Sequence, residues 1–555
     1  MEIGSGLRII VLLTLILTLC ASGLFAQFLT PPSEAFGDQL VIGIVGMPPR
    51  VLNPFQINQV VEKEINRFVF GSGLIQQADR FGEPPALVDR YIIPGGNRLQ
   101  GREWQYVLKR NINYHDGIPL RNKDVLFTFN FLKRWGGSIL NRRIDFTNIR
   151  NIQLNGDLEV RFILNKKDLN FDKKLSDIPI LSSNYYREAY EKGPAIFNLE
   201  EPMGYGPFRF EVSTRNEIRL VPHIHYVFGR PFLNRVIFRF YQDEQVLIDN
   251  FIRGSVDMIE VNDRLTAQRL HQILKNNIKV FTVPRPEKKV YFVQFNMKSQ
   301  TFQSPRIRKA IRLAINRNEI IRRLIGQNGH VAYSLIDYTN KYFFKGLFKE
   351  SYRPNQGLQI LQQDGWTINR QNGVLMRNDQ ELSFDLIFEK NSFLEESIAR
   401  SIKIHLAELG INVRPRPVTR QEKKALLEAN KFDAAIDSYS YYDTDLYNAL
   451  YYFYSKKLRK RRSLINYQSL TIERLFKGVR NHTLPPRQLY QRYQIVIHQE
   501  VPVVFLFFQD KIIYAVQNRF QNIRISYSKG KMYYYRLNPL ENWFVPKVLQ
   551  KYREW

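Results

Sequence analysis

The chain has 555 residues, 44% of them hydrophobic and 24% charged, which excludes a disordered polymer and is too long for one ordinary domain. Lysine and arginine number 81 against 52 acidic residues, a formal charge of +29. That field favours anionic surfaces, but no nucleic-acid reader motif accompanies it and nucleic acid is excluded as a partner. The single cysteine, Cys20, excludes an intrachain disulfide and a cysteine metal cluster.

Arg8 is the only basic residue ahead of an apolar run, Ile9 to Leu19, which small residues at Ala21, Ser22 and Gly23 follow. We read residues 1–26 as an export signal cleaved after Ala26, so the mature chain is expected in the periplasm or cell envelope. Lipid attachment at Cys20 and an uncleaved anchor are the alternatives. The run is short for a spanning helix, and no later stretch reaches spanning length without charges.

The first element is a buried strand, Gln39 to Val45, ended by Gly46 and Pro48. Arg102 to Arg110 alternates as a second strand and leads into a turn at Tyr114-His115-Asp116-Gly117. Asp124 is expected to cap a helix whose inner face is Val125, Phe129 and Leu132. Residues 209–240 alternate as strands. Val246 to Gly254 reads as a helix ended by glycine, and Ser255 to Ile259 as a strand. Ser304-Pro305 opens a helix with Ile307, Ala310, Ile311, Ala314 and Ile315 on one face, Ser304 being its cap. Ile398, Ile402, His405 and Leu409 form another helical face, stopped by Gly410 and followed by a strand at Ile411 to Val413. Thr419 caps a helix reaching Asn430, and Phe432 to Ile436 is again a strand. This alternation predicts an α/β unit with a largely parallel sheet. Leu489, Tyr493, Val496 and Ile497 then give helical spacing, and Val501 to Phe508 reads as a buried strand. A strand-rich first part, an α/β second part and a late return to strands suggest two lobes with a cleft between them.

Catalytic patterns do not emerge. There is no phosphate-binding glycine loop, no HExxH and no GxSxG. His223 and His225 would share one face of a strand, but two ligands without a third are better read as an ordinary strand face. His115 reads as a structural turn residue. We assign no catalytic residue, metal or cofactor and expect no enzyme. Basic residues concentrate at Lys456 to Arg462 and from Lys511 onward, as a solvated face or one drawn to anionic membranes.

Several segments, in order, carry a family likeness. They are Leu52-Asn53-Pro54-Phe55, Pro85-Ala86-Leu87, Tyr114-His115-Asp116-Gly117 with Asp124-Val125, Gly204-Tyr205-Gly206-Pro207-Phe208, Tyr226 to Pro231, and Gly254-Ser255-Val256-Asp257. Phe295-Asn296 with Arg306 to Arg317, and Val501-Pro502, complete the series. From about residue 40 to 510 the chain resembles the family 5 extracellular solute-binding proteins of ABC importers, the dipeptide-, oligopeptide- and nickel-binding group. Tyr205 stands where that family usually has Thr, and Asn316 where it has Asp. The resemblance implies an α/β, periplasmic-binding-protein type II-like fold, two lobes around a ligand cleft. Lobe I would comprise 38–70, 204–287 and 505–555, an extra subdomain 71–203, and lobe II 288–504. It implies a monomeric binding component that captures a small solute, most readily a peptide, by hinge closure and delivers it to permease subunits in the membrane. A nickel or saccharide ligand, a sensory role, and an envelope adhesin or scaffold are the alternatives.

Peptide-binding members are similar in holding the ligand as an added strand, with an acid at its amino group and a base at its carboxylate. The loop Asp437 to Asp445 resembles the one that supplies the acid, which makes Asp443 the first candidate and Asp445 the second. Lys390 is the candidate base. Tyr439, Tyr441 and Tyr442 would line the cleft, and Asn296 is a further ligand contact implied by its motif.

Overall fold

The computed structural model describes residues 35–552 apart from 50–51, 56–59, 72, 75–86, 93–100, 140–145, 170, 172–174, 176–177, 194–200, 350–351, 442, 444–445, 455–464, 466, 468, 482, 528–534 and 538–539. The export segment, Cys20, Pro85-Ala86, the basic run 456–462, Tyr442 and Asp445 therefore lie outside the described residues. Among the described residues no helix is long and apolar enough to cross a membrane.

One mixed sheet runs through both lobes. Its strand order is Asn412–Val418, Ser383–Glu389, Ala434–Tyr441, Ile278–Phe295, Val503–Gln517, Met258–Val261, Gln39–Val45, Arg235–Tyr241, Glu217–Pro222 and Phe208–Ser213, with Gly329–Val331 also paired to Val503–Gln517. Ile278–Phe295 and Val503–Gln517 are antiparallel and much longer than the rest. Their outer halves, 278–284 and 511–517, pair in lobe I; their inner halves, 289–295 and 503–509, pair in lobe II. Between them the register jumps from Pro284 opposite Lys511 to Lys289 opposite Gln509. Pro284 and Pro286 have no N–H to give a ladder, so the pairing breaks there and the sheet has a point at which to bend.

The cores divide at this crossing. Lobe I buries Leu40, Phe68, Phe208, Phe238 and Trp543 on one face of the sheet and Val41, Ile237, Phe251 and Ile513 on the other. Lobe II buries Tyr291, Val293, Ile311, Ile398 and Ile436 on one face and Val290, Phe292, Phe453, Tyr493 and Phe505 on the other. A four-stranded sheet, Val88–Ile92, Glu103–Leu108, Glu159–Leu164 and Ile149–Asn155, packs with the helix Asn122–Ile139 and shares the first core of lobe I.

Motif residues have structural reasons. A Cβ on Gly204 would lie 2.0 Å from the Val69 carbonyl oxygen, and one on Gly206 2.1 Å from that of Phe68. Only glycine lets this segment press on the end of the helix Val60–Phe70. Tyr205, in the Thr position, is buried, and its hydroxyl accepts from the Ile180 N–H at 3.2 Å. Asn316 keeps the capping task of an aspartate, its Oδ1 accepting from Glu319 N at 3.1 Å. His115 is structural, with its ring Nε2 3.1 Å from the Gly206 carbonyl; burial first, then His223, push its pKa down to about 3.

Four expectations are corrected. The helix expected to be capped by Asp124 starts at Asn122, and Asp124 instead reaches back to accept from Arg121 N at 2.8 Å. Ser304 precedes its helix but makes no cap bond; its hydroxyl faces Asp364 at 3.5 Å. The sheet of lobe II is mixed, because Ala434–Tyr441 is parallel to Ser383–Glu389 and antiparallel to Ile278–Phe295. His223 and His225 share no strand face: the strand ends at Pro222, His223 is buried with Nδ1 3.1 Å from the Gly206 carbonyl, and His225 is exposed.

Candidate functional site

The carboxyl ends of parallel strands are where open α/β sheets gather ligands, because side chains and helix starts converge there. In lobe I the strand Met258–Val261 runs toward the crossing, as does its parallel neighbour Gln39–Val45. In lobe II, Ala434–Tyr441 ends at the crossing, with Tyr441 opposite Lys288, and Ser383–Glu389 runs beside it in the same sense. Both lobes thus point their strand ends at one seam. Side chains alternate along the crossing strand, which sorts its charges onto two faces.

The first face carries Lys288, in phase with Val290 and Phe292. Its ammonium donates to Asp337 Oδ2 at 2.7 Å and Thr339 Oγ1 at 3.3 Å. Asp337 is fully buried, and its Oδ1 lies 3.3 Å from His330 Nε2, while His330 Nδ1 is 2.6 Å from Asp510 Oδ2. Burial works against a charge on His330, but the two carboxylates outweigh it and raise the imidazole to about 9. Burial likewise opposes ionisation of Asp337, and His330 and Lys288 overcome it, holding the carboxyl far below its usual range. Ligand atoms of His330, Asp337 and Asp510 lie within 4.8 Å of one another, close enough for a metal ion. However, both ring nitrogens already face carboxylates, and Asp337 already accepts from Lys288 and Thr339. The group is an ion-pair chain rather than an open metal site.

Asp443 stands beside this chain. Its Oδ1 accepts from Asn340 Nδ2 at 3.0 Å. Desolvation by the surrounding wall raises its carboxyl above the ordinary value, against the opposing pull of Lys288 and Asn340. Tyr439 and Tyr441 stack with ring centroids 6.0 Å apart, and the Tyr441 hydroxyl donates to the Leu335 carbonyl.

The second face holds the lobes together. Arg285 pairs with Glu260 and Glu287, and Lys289 donates to Asn262 at 3.1 Å. Within lobe II, and in phase with Phe292 of the first face, Asp437 has its Oδ1 3.8 Å from Lys423, which is buried against Glu395 at 2.9 Å. Further contacts run from lobe to lobe. Arg420, paired with Glu389 at 2.8 Å, donates to the Val45 carbonyl at 3.2 Å. Glu244 accepts from Asn262 Nδ2 and, at the start of the lobe II helix Phe393–Ala407, from Phe393 N, both at 3.2 Å.

Burial, with Asp263 nearby, raises Glu244 to about 7 in spite of its hydrogen bonds and Lys289. Opening the lobes would return this carboxyl to water and to its ordinary range. Closure then takes up a proton between about pH 4.5 and 7, so the closed form gains as pH falls through that window. Ligand affinity is expected to rise as pH is lowered from 8 to 5, by at most about tenfold per pH unit. Glu244→Gln should flatten that part of a calorimetric pH profile; an unchanged slope would show that the proton is bound elsewhere.

The structure places Asp443 beside the seam, whereas Tyr441 is buried in the lobe II core with its hydroxyl on the Leu335 carbonyl, and half-buried Tyr439 packs on Phe453 of the same core. Lys390 is exposed directly after Glu389, at the end of its strand, with its N–H on the Val418 carbonyl at 2.6 Å. Asn296 is not brought there. It lies eight residues beyond Lys288, about 26 Å along an extended strand. Its amide donates to the Asn430 and Phe432 carbonyls at 3.0 and 2.6 Å and accepts from Lys298 N at 3.0 Å. Lys288, His330, Asp337, Asp510 and Glu244 escaped the sequence reading. The available signal was the polar interruption of two apolar strands, Arg285-Pro286-Glu287-Lys288-Lys289 and Gln509-Asp510-Lys511.

Comparison with known proteins adds family context. A family model described as bacterial extracellular solute-binding proteins, family 5, middle, matches residues 97–460. The oligopeptide-binding protein AppA of Bacillus subtilis (strain 168) is 24% identical over 502 residues, 87% of this chain and 88% of that protein. The solved structure of AppA with a nonapeptide superposes with a TM-score of 0.62 at 21% identity, covering 92% of this chain and 99% of that one. NikZ from Campylobacter jejuni in complex with Ni(L-His) gives 0.66 at 16% identity, covering 93% and 100%. DppA from Helicobacter pylori with the peptide STSA gives 0.62 at 18%, covering 93% and 99%.

Proposed function

The chain belongs to the bacterial extracellular solute-binding proteins of family 5, and from that premise we propose that it captures a peptide between its lobes and presents it to the permease of an ABC importer. The observation that carries this reading is the crossing itself. The chain passes from lobe I to lobe II along Ile278–Phe295 and back along Val503–Gln517, and the pairing of those strands breaks where the charged seam lies. A ligand touching both lobes has contacts in the closed form that it lacks in the open one, so it shifts the balance toward closure. No covalent step is needed.

The named relatives AppA and DppA favour a peptide as the guest. Asp443 is the proposed acceptor for the peptide's amino group, and Lys390 the proposed partner for its carboxylate, with half-buried Tyr439 the proposed part of the wall and Tyr441 supporting it from the core. The peptide backbone would pair as an extended segment, so affinity comes largely from main-chain hydrogen bonds and sequence preference from side-chain pockets. Residues 1–26 are proposed to direct export, placing the mature protein outside the cytoplasmic membrane.

Native mass spectrometry of the purified protein is expected to show a co-purified mass that leaves on partial denaturation, and a peptide library is expected to raise the melting temperature. Binding at a hundred times Kd stabilises by about 2.7 kcal/mol, a readily measured shift. A rise given by a nickel–histidine complex or a sugar but by no peptide would overturn the peptide assignment.

A further inference from the structure

Next to the ion-pair chain of the first face is a cavity of about 370 Å³. Ile321 and Val331 contribute branched apolar surface to it, His330, Tyr333 and Tyr338 three aromatic rings, and Asn318 an exposed amide. Two links tie it to Asp443. Asn340, the donor to Asp443, lies two residues beyond Tyr338 on the same loop, and Asp337 of that loop joins His330 to Lys288. The volume is at the lower end of the range for small-molecule sites, roughly 300–1,000 Å³. It suits one side chain and not a whole peptide.

The lining selects the kind of side chain. An anionic group finds no donor in His330, because Nδ1 is 2.6 Å from Asp510 and Nε2 is 3.3 Å from Asp337. A cationic group gains little either, because Asp337 and Asp510 are already taken up by His330 and Lys288. A flat, uncharged ring satisfies both conditions. The His330 ring lies 4.5 Å from that of Tyr338 in an edge-to-face arrangement and stacks on Phe508 at 5.5 Å, so it is a fixed aromatic wall. A ring beside an imidazolium also gains from the attraction between a cation and a π face. The exposed Asn318 amide offers a partner for a phenol hydroxyl.

We propose that this cavity receives an aromatic side chain, Phe or Tyr, near the amino terminus of the bound peptide. The proposal rests on the peptide reading and on Asp443 holding the ligand's amino group.

The test uses four tetrapeptides: all-alanine, and alanine with Phe at the first, second or third position. Affinities are measured by calorimetry on the full mature protein, on Asn318→Trp, which fills the cavity, and on Tyr338→Ala, which removes a wall. One Phe position is expected to bind the natural protein about tenfold tighter than all-alanine. Both variants should reduce that ratio to about twofold, with melting temperatures confirming that they are folded. A natural protein that binds tetra-alanine without any Phe preference overturns the pocket and leaves the peptide reading standing. A Phe preference surviving both substitutions overturns it equally. Binding of none of the four, nor of any library peptide, overturns the peptide reading and the pocket together.

Discussion

Replacing Asp443 by alanine is expected to weaken peptide binding about tenfold while leaving the fold intact. The carboxylate follows the strand Ala434–Tyr441 to reach the seam, and its surface is open to solvent. Its neighbour Lys288 gives its hydrogen bond to Asp337 at 2.7 Å and acts on Asp443 only through space. The only protein donor to the Asp443 side chain among the described residues is the neutral Asn340 amide. Desolvation has already raised this carboxyl, so a free ammonium arriving there regains interaction the protein itself does not supply. At a site open to water such a pair keeps only part of its attraction; a hydrogen bond to a charged group contributes about 1.5–3 kcal/mol at most, and each 1.4 kcal/mol is tenfold in Kd. Calorimetry with free and N-acetylated peptides separates the causes. Acetylation should weaken binding to the natural protein strongly and to Asp443→Ala very little. Equal losses in both proteins would place the amino group elsewhere.

The largest loss of stability is expected from Arg519→Met, about 3–5 kcal/mol. Arg519 enters lobe I after the return strand and is buried between two carboxylates. It pairs with Asp38 and, at 2.9 Å, with Asp257 Oδ1, and it donates to the Gln39 carbonyl at 3.0 Å. Asp257 Oδ2 also accepts from Val41 N at 2.9 Å, and Asp38 Oδ2 from Lys551 N at 2.9 Å. One guanidinium therefore joins the first strand of lobe I, the Gly254-to-Asp257 motif and the tail. Removing it strands two buried carboxylates, and burial already holds Asp257 above its ordinary range. Lysine cannot replace the planar fork, so Arg519→Lys should recover only part of the loss. Urea unfolding of the three proteins checks this; a midpoint unchanged in Arg519→Met would mean that the triad contributes no net stability.

Helices were legible where packing and capping agree. Thr419 does accept from Glu422 N at 3.1 Å, and Asn430 does adopt the left-handed turn expected at a helix end. The opening strand has the bounds its composition predicts, since Gln39 to Val45 is flanked by residues that cannot continue it. The Arg420–Ala429 and Phe393–Ala407 helices sit within a few residues of their periodic faces. The failures cluster at the crossing. Val503–Gln517 was expected to stop at Phe508 because Gln509-Asp510-Lys511 breaks the apolar run, and Ile278–Phe295 was missed because prolines and charges interrupt it.

Those interruptions are the seam. A strand's side-chain pattern reports what packs against it, and where two lobes meet the neighbours are charges and solvent rather than a core. Local order therefore belongs largely to the sequence alone: which stretches alternate, where a cap such as Thr419 agrees with its helix, and the ordered motifs that point to a family. The pairing of His330 with Asp510, of Arg519 with Asp38 and Asp257, and of Glu244 with the Phe393 N–H joins residues far apart in the chain. Only the folded chain could select those partners, because a polar pairing across so much chain leaves no periodic trace and is chosen by burial and distance once the lobes have formed.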